Sequence, residues 1–196
     1  MPRSSPEAVF GTAQGAIAGG DWETFFGCLA ASDLKRLAAI GITCTIGDGG
    51  RRFADLAVAH GVSVVAIAEV RAAERRIEES AAAIRDAPPL PNERTMALSF
   101  AHRDLVKAYD NAVATCVASV SDMAAYVARV ERLRRETGGG GSVSSSMFDG
   151  ETLIDVAATG SKAVGVRHRQ RGTDEPLGFV RTRGEWYVVL FGRARR

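Results

Sequence analysis

The apolar residues of this chain follow two different periods, and the change from one to the other lies near residue 150. Before that point, apolar side chains recur every three or four residues, which is the spacing of amphipathic helices. After it, apolar and polar residues alternate, which is the spacing of β-strands. A block of helices followed by a block of strands predicts an α+β fold, with helices packed on one face of an antiparallel sheet.

Helix-start and helix-stop residues divide the first part of the chain. A serine followed by a proline predicts a helix over residues 6–18, because proline loses no hydrogen bond at the first helical position. Asp21 is placed to cap a second helix that runs through Leu29. A third, short helix should follow and end at Gly41, before a glycine-containing loop.

A long helical insert is predicted between residues 53 and 136. It contains an amphipathic helix over residues 64–85 and a second apolar stripe over residues 93–136, separated by prolines at positions 88, 89 and 91. The two helices predict a helical hairpin. At 1.5 Å per residue the second helix would be roughly 60 Å long. That is about twice the width of a small domain, so we expect it to project, bend or break near residues 119–122.

Four strands are predicted at residues 152–158, 162–170, 177–182 and 185–191. Their connections contain glycine and are short, which predicts an antiparallel meander. The glycine- and serine-rich tract at residues 138–146, just before the first strand, predicts a flexible loop.

Length and composition fit one globular domain over residues 1–196, made of N-terminal helices at 6–40, the insert, and the sheet at 150–191. Hydrophobic residues make up 46% and charged residues 24% of the chain, which excludes a disordered or fibrous chain. The longest nearly apolar run is far below the roughly 20 residues that span a bilayer, and residues 1–20 lack the apolar core of a secretory signal. We therefore expect a cytoplasmic protein of bacterial type with no membrane segment.

The cysteines and histidines indicate no metal or disulfide chemistry. The three cysteines form an odd set without zinc-type spacing. The three histidines share no metal-ligand spacing either. The sequence thus predicts no metal and no cofactor.

The two ends of the chain resemble the nuclear-transport-factor-2-like superfamily, which includes ketosteroid isomerases, polyketide cyclases and many binding domains. The matching features at the N-terminus are a first helix and the Gly20-Asp21-Trp22 step into a second helix. At the C-terminus, residues 179–190 look like the closing hairpin of that superfamily. The resemblance covers residues 6–40 and 150–191, and it implies helices and a sheet that enclose an apolar cavity. It implies no single reaction.

The last predicted strand is apolar on both faces. Trp186 and Val188 point to one face, whereas Tyr187 and Val189 point to the other. Helices can cover one of these faces, so the other needs a pocket, the inserted helices or a partner subunit. A symmetric homodimer through the sheet is an economical solution.

His168 is the titratable residue that best fits a binding or catalytic role. Alternation places it on the valine face of the second predicted strand, opposite a row of arginines. If the valine face lines the cavity, the imidazole would supply a base or a hydrogen-bond donor. The residues expected to line the ligand pocket are Trp22, Phe26, His168, Gln170, Phe179 and Trp186.

Basic residues concentrate near the C-terminus, where residues 161–196 carry nine basic and three acidic side chains. The arginines whose surface would hold an anion are Arg167, Arg169, Arg171 and Arg181. No aromatic residues are interleaved with them, and arginines at strand ends commonly serve solubility and edge protection, so nucleic-acid binding is disfavoured.

Three functions follow from these residues. The leading hypothesis is a non-catalytic module that binds a small apolar ligand or a protein partner and forms a homodimer. The alternative is a cofactor-independent isomerase, cyclase or hydrolase that uses His168 in an apolar pocket. A weaker alternative is an anion or nucleic-acid binder that uses the arginine surface.

Overall fold

The computed structural model describes residues 3–47, 50–86, 92–169 and 172–192. Within these ranges the helices precede the strands, and the predicted α+β fold is confirmed. The helices are α1 (Pro6–Ala18), α2 (Trp22–Gly27), α3 (Ala31–Thr43), α4 (Gly50–Ala59), α5 (Val64–Arg85), α6 (Asn92–Ser119) and α7 (Met123–Glu136). The strands are β1 (Glu151–Thr159), β2 (Lys162–Arg169), β3 (Glu175–Thr182) and β4 (Glu185–Val189).

The residues group into two compact units. The first unit combines residues 1–37 with residues 122–196, and it contains α1, α2, α7 and the sheet. The second unit, residues 38–121, contains α4, α5 and α6. The expectation of one domain over the whole chain stays a prediction.

Capping residues set the helix boundaries of the first unit. The side chains of Ser5 and Asp21 each accept a hydrogen bond from a backbone N–H in the first turn of the helix that follows, as predicted. α2 is shorter than predicted, because it ends at Gly27 and Leu29 instead forms a parallel bridge with Val188 of β4. α3 in turn continues two residues past Gly41.

The strands form the predicted antiparallel meander, in the order β1-β2-β3-β4. α1 packs against β4 and β1 on one side of this sheet, which we call the inner face. Its buried apolar residues are Ala163, Leu177, Phe179, Trp186 and Val188, whereas on the same face of β1 Leu153 is half-buried and Ala158 is exposed. The opposite side is the outer face, and the apolar residues that alternation and pairing place on it are Ile154, Ala157, Val164, Val166, Pro176, Val180, Tyr187 and Val189.

Two backbone features shape the sheet. Arg183 and Gly184 both have positive φ angles, of 53° and 85°, so β3 and β4 join through a two-residue turn whose twist matches that of the strands. Between Ile154 and Ala157 the pairing of β1 with β2 shifts register at a bulge, where Asp155 has a φ of 52°. Aspartate tolerates this left-handed region better than most side chains do.

Two residues of the glycine- and serine-rich tract before β1, Ser142 and Val143, are anchored to the first unit. The carboxylate of Glu131, which is 1% exposed on α7, accepts hydrogen bonds from the Ser142 N–H at 2.7 Å and from Arg135 Nε at 2.8 Å. A Cβ at Gly141 would lie 2.3 Å from both the Glu131 carboxylate and the Arg135 guanidinium, so a larger residue there would displace this ion pair. Val143, 3% exposed, completes the anchor.

The helices of the second unit follow their predicted bounds closely. α5 covers the predicted residues 64–85, and the predicted long helix ends at Ser119, where we expected a break. α5 and α6 pack against each other as an antiparallel hairpin. Near one end of the hairpin Ser80 contacts His102. Near the other end, burial and the nearby carboxylate of Glu69 raise the pKa of the Cys116 thiol. The predicted proline connector lies outside the described residues.

No single helix among the described residues is long and apolar enough to cross a membrane, although α6 and α7 pass that test when they are taken together.

Candidate functional site

The outer face of the sheet carries an open, largely apolar groove of about 620 Å³. β1, β2 and β3 supply its lining residues, which are Asp155, Ala157, Thr159, Lys162, Val164, Val166 and Pro176, together with Ala163, whose side chain lies on the inner face. Val164 and Val166 are only half-buried, and the neighbouring Ile154 is 39% exposed. Branched aliphatic side chains that remain open to solvent on a sheet face mark a surface suited to binding.

The bulge in β1 brings a charge to this groove. In regular pairing the residue after Ile154 would point to the inner face, but Asp155 is the extra residue of the bulge and it lines the groove instead. Lys162, which pairs with Thr159, also lines the groove. The groove thus carries one acidic and one basic side chain, both of which are exposed.

His168 lies on the outer face with the two valines, as alternation predicted. Its Nδ1 is 2.9 Å from Oδ1 of Asp174, so an acid does orient the imidazole. Both side chains are about half exposed, at 50% and 47%, and neither lines the groove. This pair therefore stands at the open end of the sheet, where water competes for every proton that the imidazole could transfer.

The predicted pocket residues separate into two environments. Phe26, Phe179 and Trp186 are at most 5% exposed and belong to the packed core of the first unit, whereas His168 lies on the opposite face of the sheet. Trp22 is half-buried beneath the guanidinium of Arg135, which lies 4.4 Å from the centroid of its ring. The structure therefore does not bring His168 together with the aromatic residues, and Gln170 lies outside the described residues.

The arginines of β2 point to the inner face, where carboxylates of the same chain engage them. Arg167 pairs with Glu175 and lies 3.4 Å from Oε2 of Glu151. Arg169 Nε donates to Glu151 Oε1 at 2.7 Å, and this hydrogen bond raises the pKa of Arg169. Glu151 is 6% exposed. Two guanidinium groups and two carboxylates thus form a neutral network at the rim of the core.

The anion-binding hypothesis also named two other arginines. Arg181 is exposed at the far end of β3, and its Nε lies 3.4 Å from the carbonyl oxygen of Gly184 in the turn. Arg171 lies outside the described residues. The described arginines therefore offer no shared cationic surface.

A polar cleft of about 660 Å³ opens beside the network. The loop before β1 and the start of β2 line it, through Ser144, Ser146, Met147, Asp149, Gly150, Glu151, Arg167 and Arg169. Next to these lining residues, the fully buried ring of Phe148 lies 5.1 Å from that of Phe10, and the Arg167 guanidinium lies 5.5 Å from the centroid of the Phe148 ring. Gln14 of α1 ties this segment down by donating to the carbonyl oxygens of Phe148 and Glu151.

No cluster of three or more histidine, cysteine or acidic residues suited to a metal ion occurs in the part of the chain that the structure describes. Comparison of the chain with protein-family models, with curated proteins and with solved structures finds no match. The resemblance to the nuclear-transport-factor-2-like superfamily therefore stays a prediction.

Sequence reasoning missed several residues that shape these sites. Glu151 and Glu175 begin their strands, and their in-register position opposite the two arginines makes the network. Asp155 lines the groove because of the bulge, and no residue spacing in the sequence predicts that bulge. The pair of glutamates could have predicted this network, because an acidic residue at the start of one strand can form an ion pair with an arginine on the neighbouring strand.

Proposed function

We propose that this chain is a non-catalytic binding module of the nuclear-transport-factor-2-like type, and that its binding surface is the outer face of the sheet. The observation that carries the proposal is the open groove, whose half-exposed aliphatic side chains would stabilise a complex by leaving water. The inner face, in contrast, is filled by the chain's own core. We therefore expect the outer face to be the binding surface.

The position of His168 supports a binding role over the enzymatic alternative. Acid–base catalysis gains from a site that excludes water and fixes the substrate beside the base. The His168–Asp174 pair has the required orientation but stands half exposed, outside the groove. In this proposal the pair closes the end of the sheet and transfers no proton.

An apolar fluorescent probe tests the proposal directly. An anilinonaphthalene sulfonate dye should brighten when it binds the wild-type chain at low protein concentration, and Val164→Lys should remove most of the enhancement. Val65→Lys is the matched control, because Val65 is 68% exposed at the start of α5 and the change adds the same charge away from the sheet. His168→Ala should leave dye binding unchanged. Equal enhancement in wild type and Val164→Lys would contradict the proposal.

A further inference from the structure

We propose that the polar cleft formed by the loop before β1 together with β1 and β2 is a binding site for a neutral polyhydroxyl compound, such as a sugar or a cyclic polyol. The cleft is separate from the groove on the outer face, so this inference goes beyond the proposed function and does not depend on it. Three observations carry it, namely two buried polar atoms without hydrogen bonds, the balanced charge of the cleft and the anchoring of its loop.

The first observation concerns two buried polar atoms of residues that line the cleft, Glu151 and Arg167. Their side chains are 5% and 13% exposed, and Oε2 of Glu151 lies 3.4 Å from Nη1 of Arg167. Among the described residues, however, neither Glu151 Oε2 nor Arg167 Nε has a hydrogen-bond partner. A buried acceptor and a buried donor that lack partners both cost free energy. A hydroxyl group donates and accepts, so it is the ligand group that matches such a pair.

The second observation is that the charges in the cleft cancel. Its lining contains two carboxylates and two guanidinium groups, from Asp149, Glu151, Arg167 and Arg169. Both arginines are already paired within the chain, through Glu175 and Glu151, so an anionic ligand would have to compete with these carboxylates. A neutral ligand leaves the ion pairs intact. Its hydroxyl groups still supply the donors and acceptors that the lining residues can use.

The third observation is that the loop side of the cleft is held in place. Oγ of Ser144 lies 2.8 Å from Oγ of Ser146, and both serines line the cleft. The N–H groups of Met147 and Asp149 donate to the carbonyl oxygens of these serines, at 3.1 Å and 3.2 Å, and Gln14 of α1 fixes the residues on either side of Asp149 and Gly150. A site that is ordered in advance loses less entropy on binding. Its volume of about 660 Å³ is that of a small-molecule site.

An NMR titration of the full chain tests the site, with glucose, galactose, maltose and myo-inositol as probes. At least one probe should shift the backbone amide signals of Ser144, Asp149 and Gly150, with a Kd of about 1 mM. The Nε–Hε signal of Arg167 should move as well, because this atom is covered in the free chain and binding must turn its side chain. The amide signal of Val164 on the outer face should stay in place. If no probe shifts the signals of the cleft, the inference is overturned.

Two substitutions define the role of the carboxylates. Glu151→Gln keeps the size of the side chain but removes its charge, and it should weaken binding of the same probe about tenfold, because a charge-assisted hydrogen bond is lost. Glu175→Gln is the matched control, since it makes the same change in the same ion-pair network at a residue that does not line the cleft, and it should leave the affinity nearly unchanged. Asp149→Asn provides a second variant that spares the buried network, because Asp149 is exposed. It should weaken binding about threefold.

Inorganic phosphate separates a polyol site from an anion site, and it should neither shift the signals of the cleft nor displace the bound probe. Val164→Lys should bind the probe as the wild type does, so this inference and the proposed function fail separately. Circular dichroism of each variant confirms that lost binding is not a lost fold. Phosphate that binds more tightly than every probe, or binding that both Glu151→Gln and Asp149→Asn leave unchanged, would overturn the inference.

Discussion

The inner and outer faces of the sheet are built from alternate residues of the same four strands, yet they differ in how the chain completes them. On the inner face Trp186 and Val188 lie under α1, and charged side chains close the rim around Glu151. On the outer face the valines of β2 remain half-buried, and Asp155 and Lys162 line the same groove. The inner face holds the fold together, and the outer face stays open to solvent.

Strand alternation assigns residues to the two faces of a sheet, but it does not predict which face the rest of the chain covers. Arginine on one face and valine on the other would ordinarily place the valines inside. Here the in-register glutamates neutralise the arginines and allow them to lie on the covered side. Substitutions on the two faces should therefore differ sharply in their cost.

The largest expected effect comes from Phe148, whose ring is fully buried against Phe10 and Phe25. Phe148→Ala should lower the free energy of unfolding by about 3–5 kcal/mol, because it removes a packed aromatic side chain and leaves a cavity. Phe191→Ala is the matched control, since Phe191 is 40% exposed, and we expect it to cost less than about 1 kcal/mol. Urea denaturation measures both, and equal costs would refute the division between covered and open sides.

A substitution of Glu131 tests whether the buried hydrogen bonds between α7 and the loop before β1 stabilise the fold. Glu131→Ala leaves Arg135 and the Ser142 N–H without their buried acceptor, and breaking such a pair should cost about 3 kcal/mol. Glu185→Ala removes a carboxylate that is 45% exposed in its pair with Arg3, and we expect at most about 1 kcal/mol. A chemical denaturation midpoint that barely moves in Glu131→Ala would show that the tract before β1 is not anchored as described.

Neighbouring valines of β4 give the closest comparison of the two faces. Val188 is fully buried on the inner face, whereas Val189 is half-buried on the outer face. Val188→Ala should cost about 2 kcal/mol and Val189→Ala less than about 1 kcal/mol, since the first removes buried methyl groups from the core. Thermal unfolding of both variants at a concentration where the chain is monomeric gives the difference, and a reversed order would contradict the assignment of faces.

The smallest effect is a pH dependence at the end of β4. Asp33 is buried and accepts a hydrogen bond from the Leu190 N–H at 2.6 Å, and burial raises the pKa of this carboxyl above its ordinary value of 3.8. Folding therefore disfavours the ionised form, and the contribution of Asp33 to stability decreases as the pH rises through the raised pKa. Relative to Asp33→Asn, the wild type should gain stability as the pH falls from neutral to below 3.8. A constant difference between the two unfolding curves, or one of opposite sign, would disprove this.

Much of the fold could be predicted because its signals are local. Serine and aspartate caps, glycine stops and a change of period fix where α1, α5 and the strands lie. The anchor of the tract at residues 138–146 could not be predicted, because Glu131 lies on another element and the composition of the tract does not indicate a partner. Composition describes what a free chain prefers, and tertiary contacts override it.

The candidate site was less predictable, because it depends on pairing between strands. Alternation correctly placed His168 with the valines, but the partners of the arginines depend on which residue of β1 and β3 lies opposite each of them. The bulge at Asp155 shifts that register by one residue and turns a carboxylate onto the outer face. Neither feature can be predicted from residue spacing. The sequence analysis therefore expected a closed cavity, whereas the structure has an open groove.

Methyl NMR with a soluble paramagnetic agent reports the exposure of each valine in solution, and it therefore shows whether the outer face of the sheet is open. At a protein concentration where the chain is monomeric, the agent should strongly broaden the methyl signals of Val164 and Val166 and spare those of Val188. Protection of Val164 and Val166, or broadening of Val188, would show that the outer face is covered or that the inner face is open.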